Sequence, residues 1–473
     1  NTLYTISSII GVILGALSLG YYFGGILADR FPKFFFFFFL IFNGGIFSLL
    51  IYFFSKIILP VLGSVFSIKF GPLIASLILF FIPSFILGMV SPFAIKLKTL
   101  ELNEIGKVSG KIFFWSTLGS IAGSFLAGFF LIPYFGVSKV IIYTSVLLVF
   151  IGFVGILVFK EKKNKIYFGR SDLFFFLMIF LFFLLINRLF PPEPSIIFQK
   201  DGFYTQITIK ETFIQNQKAR VLHLDASYDG AVFLDSDELP FEYTKYYIIY
   251  KIIHPKAEKA LFLGGGTYSI ARKLLLDKND IKKVDVVEIE PMLYQLAKQY
   301  FRLHEDPRLF NHITDGRRFL KETNENYDLI FVDVFHSLYS IPIHFTTKEF
   351  FSLAKSKLSD NGIFLMNMIG KLEGKGALLI LSEIKTFRSV FENSYLFAVR
   401  SQDKQELQNF ILVGLKDKNK KIDFQSKEIL EHENEIIRNL FKKRVYFEDL
   451  NLNSAFIFTD DFAPIEYLTA HLF

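Results

Sequence analysis

Lys259-Ala-Leu-Phe-Leu-Gly-Gly-Gly266 decides the fold. Four apolar residues, Ala260 to Leu263, run into three glycines, and a helical pattern opens at Thr267. This is the start of a nucleotide-binding βαβ unit: the glycines let backbone approach a ligand closely, and the next helix turns its free amides toward it. Glycine clusters also mark ordinary turns, so the weight rests on the strands, helices and acids that recur downstream at regular intervals.

Downstream, strand and helix patterns alternate. Strands are expected at 259–263, 283–289, 309–313, 327–332 and 362–368, and helices at 268–276, 291–301, 347–358 and 377–391. Such alternation predicts a mainly parallel, doubly wound sheet, with 395–400 and 409–414 as a terminal antiparallel pair. Upstream, 202–210, 219–224 and 231–234 read as a small antiparallel sheet, followed by an amphipathic helix over 242–253 that Pro255 ends.

Ligands in doubly wound sheets bind at the carboxyl ends of the strands. Three acids fall there. Glu288 ends the second strand, 24 residues after Gly264, where an acid accepts ribose hydroxyls. Asp315 follows the third strand in Thr-Asp-Gly316, placed to accept from an adenine amino group, although an Asp-Gly turn reads equally well. Asp333 ends Asp328-Leu-Ile-Phe-Val-Asp333; an idle carboxylate after four apolar residues would be costly to bury.

The rest of the chain differs in kind. Of 473 residues 52% are apolar and 61 are Phe, concentrated before residue 190. Candidate membrane spans are 6–28, 34–54, 73–95, 112–133, 137–159 and 173–190, each close to the roughly 20 apolar residues that cross a bilayer. Six consecutive phenylalanines, Phe34 to Phe39, read as lipid-facing filler. Gly11, Gly15, Gly20, Gly24 and Gly25, and later Gly119, Gly123 and Gly128, recur at spacings that permit close helix packing. No ionisable residue lies deep in a span, which argues against an ion relay. The net charge of +7 sits largely beside apolar segments, where it sets orientation. Basic clusters place 29–33, 96–111 and 160–170 in the cytoplasm; a full crossing by 173–190 would then put the soluble half outside. A cytoplasmic catalytic domain is expected, with 173–190 re-entrant or interfacial, or with 57–67 adding a crossing. The chain opens at Asn1 inside an apolar run, so a preceding segment is expected. With no Cys, disulfides and thiolate metal sites are excluded; His304, His312 and His344 fit no ligand spacing, and no metal is expected. The boundaries are 1–190 for a multi-pass α-helical membrane domain, 191–255 for a linker opening at Pro191-Pro-Glu-Pro194 and the small β-sheet, and 256–473 for an α/β Rossmann-like, class I methyltransferase-like domain.

Gly264-Gly-Gly266, Val286-Val-Glu-Ile289, Thr314-Asp-Gly-Arg317, Tyr327-Asp-Leu-Ile-Phe-Val-Asp333 and Pro342-Ile-His-Phe-Thr-Thr-Lys-Glu-Phe-Phe351, in that order, resemble the spermidine synthase family over roughly residues 202–414. Gly24-Gly-Ile-Leu-Ala-Asp-Arg30 resembles the cytoplasmic loop signature of major-facilitator transporters and also the membrane half of a membrane-fused bacterial branch of that family, and Phe458-Thr-Asp-Asp-Phe-Ala-Pro-Ile-Glu466 resembles the tail of the same branch. The resemblance implies a membrane-bound polyamine aminopropyltransferase. It would transfer an aminopropyl group from decarboxylated S-adenosylmethionine to an amine and release methylthioadenosine, with no prosthetic group. It assigns Gln206, Gly264, Gly265, Gly266, Glu288, Asp315 and Gly316 to the donor, Tyr243 and His336 to the amine, and Asp333 to acid–base catalysis. The partners implied are a lipid bilayer and a small-molecule amine, without nucleic acid, and a homodimer is one candidate assembly. The chain departs from the family at Thr267 and Tyr268, which replace Asp-Gly after the three glycines, and at His336, which replaces an acid. Two anionic contacts for cationic substrates are lost; Asp460, Asp461 and Glu466 would supply charge if the tail folds over the site. The alternatives are a methyltransferase using S-adenosylmethionine and a non-catalytic membrane protein that binds polyamine or nucleoside.

Overall fold

The computed structural model describes residues 3–67, 69–99, 101–159, 193–225, 227–277, 280–334 and 342–470. The chain divides into two compact units, Asn1–Pro194 and Ser195–Phe473. The expected span 173–190 lies outside the described residues, and so does His336.

In the first unit, five helical segments among the described residues are long and apolar enough to cross a membrane: Leu3–Arg30, Phe34–Gly63, Gly71–Lys98, Ile105–Phe135 and Val137–Val158. Small residues set some of the contacts between them. A Cβ on Gly20 would lie 2.3 Å from the Phe85 carbonyl oxygen, and one on Gly24 would lie 2.6 Å from the Met89 Cα, so the first and third segments touch backbone to backbone. Gly11, Gly15, Gly25, Gly119, Gly123 and Gly128 meet nothing within 4 Å, so the expected packing role is met by Gly20 and Gly24 alone of those eight. The phenylalanine run also departs from expectation. Phe34 and Phe38 stack on Phe159 at 4.8 and 5.4 Å, and Phe38 fills the space beside Gly155. Part of the run is therefore packing between helices; Phe34 and Phe39 keep much of their surface exposed.

The second unit contains two sheets. Strands β1 (Ile196–Asp201), β2 (Gln206–Ile214), β3 (Gln217–Leu224) and β4 (Ser227–Phe233) form an antiparallel meander. The larger sheet holds β5 (Lys259–Leu263), β6 (Lys283–Glu288), β7 (Leu309–Ile313), β8 (Tyr327–Val332), β9 (Leu358–Gly370), β10 (Ser394–Ala398), β11 (Gln408–Leu415) and β12 (Arg444–Val445). Its order is β12-β10-β11-β9-β8-β5-β6-β7. The run from β9 to β7 is parallel, while β11, β10 and β12 add on antiparallel. Alternating side chains of β5 feed two cores: Ala260 and Phe262 on one face, Leu261 and Leu263 on the other. The sheet is thus buried on both faces, which is why its strands read as continuous apolar runs. Helix Ser269–Leu276 packs Ile270, Ala271, Leu274 and Leu275 into the first core at helical spacing.

Besides β12 and the short helices after residue 426, which were not expected, three elements near the site differ from expectation. A strand precedes the predicted meander, with Asp201 paired to Gln206 and Gly202 in the turn between them. Residues Glu242–Ile249 wind as a 3-10 helix before the α-turn Tyr250–Ile253, because Thr244 and Tyr246 to Tyr250 are buried on several sides at once. The Asp315-Gly316 pair begins a helix, Gly316–Glu322, rather than forming only a turn.

Helix Ala377–Arg388 carries a carboxyl with an energetic consequence. Glu383 is 2% exposed, and its Oε1 has no hydrogen-bond partner among the described residues. Burial raises its pKa from 4.5 to about 8. The folded chain therefore keeps a proton that the unfolded chain releases. Stability from this group is complete below about pH 4.5 and falls as pH rises to about 8, by about 1.4 kcal/mol per unit. Glu383→Gln should remove that slope. Thermal melts across this range should show the variant gaining on the wild type as pH rises; parallel curves would rule the assignment out.

Candidate active site

The site is built where β5, β6 and β8 end side by side, with Leu263 paired to both Val287 and Val332. Strand order reverses around β5, and a crevice opens at the carboxyl ends of a parallel sheet at such a point. A cavity of about 380 Å³ occupies it. The glycine turn, β4 and the 3-10 helix line it, and Asp333 after β8, Asn367 on β9 and Asn409 on β11 supply polar side chains.

Each end glycine answers a close approach. Gly264 has φ +94°, and a Cβ there would lie 2.0 Å from the carbonyl oxygen of Asp333. Gly266 has φ +49°, and its Cβ would lie 2.9 Å from Asp229 Oδ2. Both conformations are open mainly to glycine. The chain then holds Tyr268 at φ 58°, a left-handed conformation that costs a residue with a Cβ roughly 1–2 kcal/mol. The Tyr268 hydroxyl donates to Asn311 Oδ1 at 2.5 Å, and its ring lies where a side chain on Gly265 would go. Thr267 is buried, with its hydroxyl on Ser269 Oγ at 3.0 Å.

Glu288 lies under this turn. Its Oε2 accepts the amides of Gly265 and Gly266 at 2.8 and 3.1 Å, and Oε1 accepts the Glu290 amide at 2.8 Å. Asp333 faces the cavity. Its Oδ2 accepts the Tyr243 hydroxyl at 3.1 Å, and Oδ1 accepts Asn367 Nδ2 at 3.0 Å. Asn409 Nδ2 donates to Asn367 Oδ1 at 2.9 Å, which fixes the amide's direction. Burial pushes the Asp333 carboxyl up to about 6, against the pull of its two hydrogen bonds. The same burial, with Asp333 nearby, holds the Tyr243 hydroxyl well above its ordinary range, so Tyr243 is a donor.

Among the expected site residues the structure brings Gly264, Gly265, Gly266, Tyr243 and Asp333 to one cavity, with Glu288 bound to the turn beneath. Asp315 and Gly316 follow β7, adjacent to β6, but do not line the cavity. Asp315 Oδ1 caps the helix at the Arg318 amide, and Oδ2 lies 3.0 Å from His344 Nε2. The His344 contact is the largest cause holding its carboxyl below the ordinary range. Gln206 does not line the cavity either; its side-chain amide donates to Asp201 at 3.0 Å. The tail supplies no free charge from Asp460, which forms a bidentate pair with Arg317 at 2.7 and 2.6 Å and accepts from Thr347. His312 is held by Asp285 at 2.7 Å. Sequence reasoning missed Asp229, Asn367 and Asn409, all of which line the cavity. The asparagine in Phe364-Leu-Met-Asn-Met368, a polar residue in a buried strand, was a usable signal.

Fold and site together define a Rossmann-like α/β domain with a mixed sheet and a cavity at the carboxyl ends of its parallel strands. Residues 249–426 match the model of the spermine/spermidine synthase domain. These residues are thus similar to that domain, and the curated relatives that match the chain are named polyamine aminopropyltransferases. It is 28% identical over 250 residues to the polyamine aminopropyltransferase of Vibrio vulnificus, covering 50% of this chain and 79% of that protein. It is 25% identical over 333 residues to that of Oceanobacillus iheyensis, covering 63% of this chain and 60% of that protein. A probable spermidine synthase from Corynebacterium glutamicum superposes with a TM-score of 0.44 at 20% identity, covering 56% of this chain and 97% of that one.

Proposed function

We propose that this chain is a membrane-bound aminopropyltransferase that moves the aminopropyl group of decarboxylated S-adenosylmethionine to an amine acceptor. The observation that carries this is Asp333: a half-buried carboxylate, hydrogen-bonded on both oxygens, facing a cavity at the mouth of the glycine turn. An alkylammonium has a pKa near roughly 10.4 and must lose a proton before it attacks. Asp333 accepts that proton. The amine nitrogen forms a bond to the carbon attached to sulfur, the carbon–sulfur bond breaks, and its electron pair stays on sulfur. A neutral thioether, methylthioadenosine, leaves. Tyr243 and Asn367 hold the carboxylate's direction, and the glycine turn with Glu288 holds the donor, so catalysis is largely positioning. Asp315 and Gly316 are assigned to the adenine end. The apolar helices anchor the enzyme in the bilayer, and the catalytic unit lies in the cytoplasm, where a nucleoside sulfonium is found.

The test is direct. Full-length protein in detergent, given the decarboxylated donor and a panel of di- and polyamines, should release methylthioadenosine. Methyl transfer from S-adenosylmethionine, with none of that product from the decarboxylated donor, would overturn the proposal.

The raised Asp333 carboxyl also sets a pH dependence. At about 6, it leaves the base protonated at pH values where an ordinary aspartate is ionised. Activity is lost as pH falls through 6, and kcat/KM should drop about tenfold per unit below it. A profile flat down to about pH 4.5 would remove Asp333 as the base.

A further inference from the structure

Asp229 sits in β4, one residue before Gly230, and its side chain reaches the glycine turn. Its Oδ2 stands over Gly266, the last glycine of that turn. Asp229 and Asp333 therefore line one cavity, Asp229 from β4 and Asp333 from the residue that follows β8, close enough for each charge to feel the other. The basic residue among the lining, Arg400, pairs with Glu406 at 3.0 Å. Thr267, beside Asp229, carries no charge. No described residue donates a hydrogen bond to the Asp229 side chain, in contrast to Asp333, which receives two. Burial, then Asp333, then Glu288 push its carboxyl well above the ordinary range. A carboxylate held this way is stabilised by a cation that comes with the ligand.

Two anions in one cavity call for cationic ligand groups, and their hydrogen bonding differs. Asp333 accepts from Tyr243 and Asn367 and stands at the Gly264 end of the turn. Asp229 lies over the turn whose amides bind Glu288, on the donor's side.

We infer that Asp229 is the anionic anchor for the ammonium of the donor's three-carbon arm, and that it selects a donor without a carboxylate. The assignment rests on the aminopropyl-transfer proposal above. Its consequences are read in binding rather than turnover. Three ligands separate the charges: decarboxylated S-adenosylmethionine has the sulfonium and the ammonium, S-adenosylmethionine has both with a carboxylate added, and methylthioadenosine has none of the three. In calorimetry on the full-length protein, the wild type should prefer the decarboxylated donor. Asp229→Asn should weaken that donor about 10- to 100-fold, the range expected for losing a charged hydrogen bond. Methylthioadenosine should change by less than about twofold, and the preference over S-adenosylmethionine should shrink. The size-matched pair Asp229→Glu and Asp229→Gln repeats the comparison: the first should keep the preference and the second lose it. Unchanged donor affinity in Asp229→Asn, or equal preference in the matched pair, overturns the assignment and leaves aminopropyl transfer standing. Failure of the wild type to bind methylthioadenosine or the decarboxylated donor overturns both.

Discussion

Asp333→Asn should lower turnover by about 10²- to 10⁴-fold, the usual contribution of a positioned general base. Donor affinity should stay within about twofold, because the substitution acts on the step rather than on the bound nucleoside. The replacement is nearly isosteric, and its hydrogen bonds can be kept. The new carbonyl oxygen can accept from Asn367, and the new amide can donate to the Tyr243 hydroxyl. What disappears is the group that takes the proton from the attacking ammonium. Single-turnover release of methylthioadenosine, with donor binding measured separately, distinguishes the two effects. A variant that retains wild-type rates would leave Asp333 as a structural carboxylate. The acidic limb of the pH profile should vanish in the same variant, since the group that titrates near 6 is gone.

Gly264→Ala should be the most destabilising single change in the glycine turn. At φ +94° an alanine pays conformational strain of order 1–3 kcal/mol before any contact is counted. Its Cβ would then stand 2.0 Å from the Asp333 carbonyl oxygen and 2.8 Å from the Asp333 carbonyl carbon. That oxygen cannot simply move, because β8 is hydrogen-bonded to β5 along its length and the Asp333 amide donates to the Leu263 carbonyl at 2.9 Å. The expected outcome is a loss of more than about 4 kcal/mol, the range reserved for strain combined with core disruption. Thermal unfolding of the full-length protein should show either a melt shifted down by many degrees or failure of the second unit to fold. Gly374→Ala is the control. It also has a positive φ, +81°, but its Cβ would meet nothing within 4 Å, so only strain is tested there. Equal losses at the two positions would show that the contact with Asp333 carries no weight.

The large sheet was legible from local signals. β5 and β8 begin and end where the apolar runs predict, since a strand buried on both faces must be apolar throughout and stops where a glycine or carboxylate appears; β7, a half-exposed edge strand, also keeps its expected bounds. The longer helices of the second unit were legible from their spacing, but the short C-terminal helices Lys427–Leu430, Glu435–Arg438, Leu440–Lys443 and Ile465–Thr469 were not, and neither was Gly316–Glu322. There the Asp-Gly pair reads as a turn, while the aspartate in fact caps a helix. The first strand of the meander was also passed over, because its partner lies beyond the turn and nothing in six residues reports the pairing. The site divides the same way. Asp333, Glu288 and the glycines were found because they sit at strand ends in one βαβ series. Asp229 belongs to another sheet, and Asn367 and Asn409 to an antiparallel extension, so their convergence depends on how the layers stack.

By itself, the sequence determined that this chain has an apolar, helix-rich first half and a doubly wound second half, and that carboxylates close its parallel strands. Those properties follow from periodicity and from the high cost of burying charge without purpose. Tertiary structure alone decided which carboxylates share a cavity and which are held by the protein itself. Asp460 is neutralised by Arg317 and Asp315 is held by His344, while Asp229 and Asp333 line one cavity and, among the described residues, neither pairs with a cationic side chain. Charge partners of this kind come from residues up to 143 positions apart, as with Arg317 and Asp460, and only the folded chain brings them within hydrogen-bonding range.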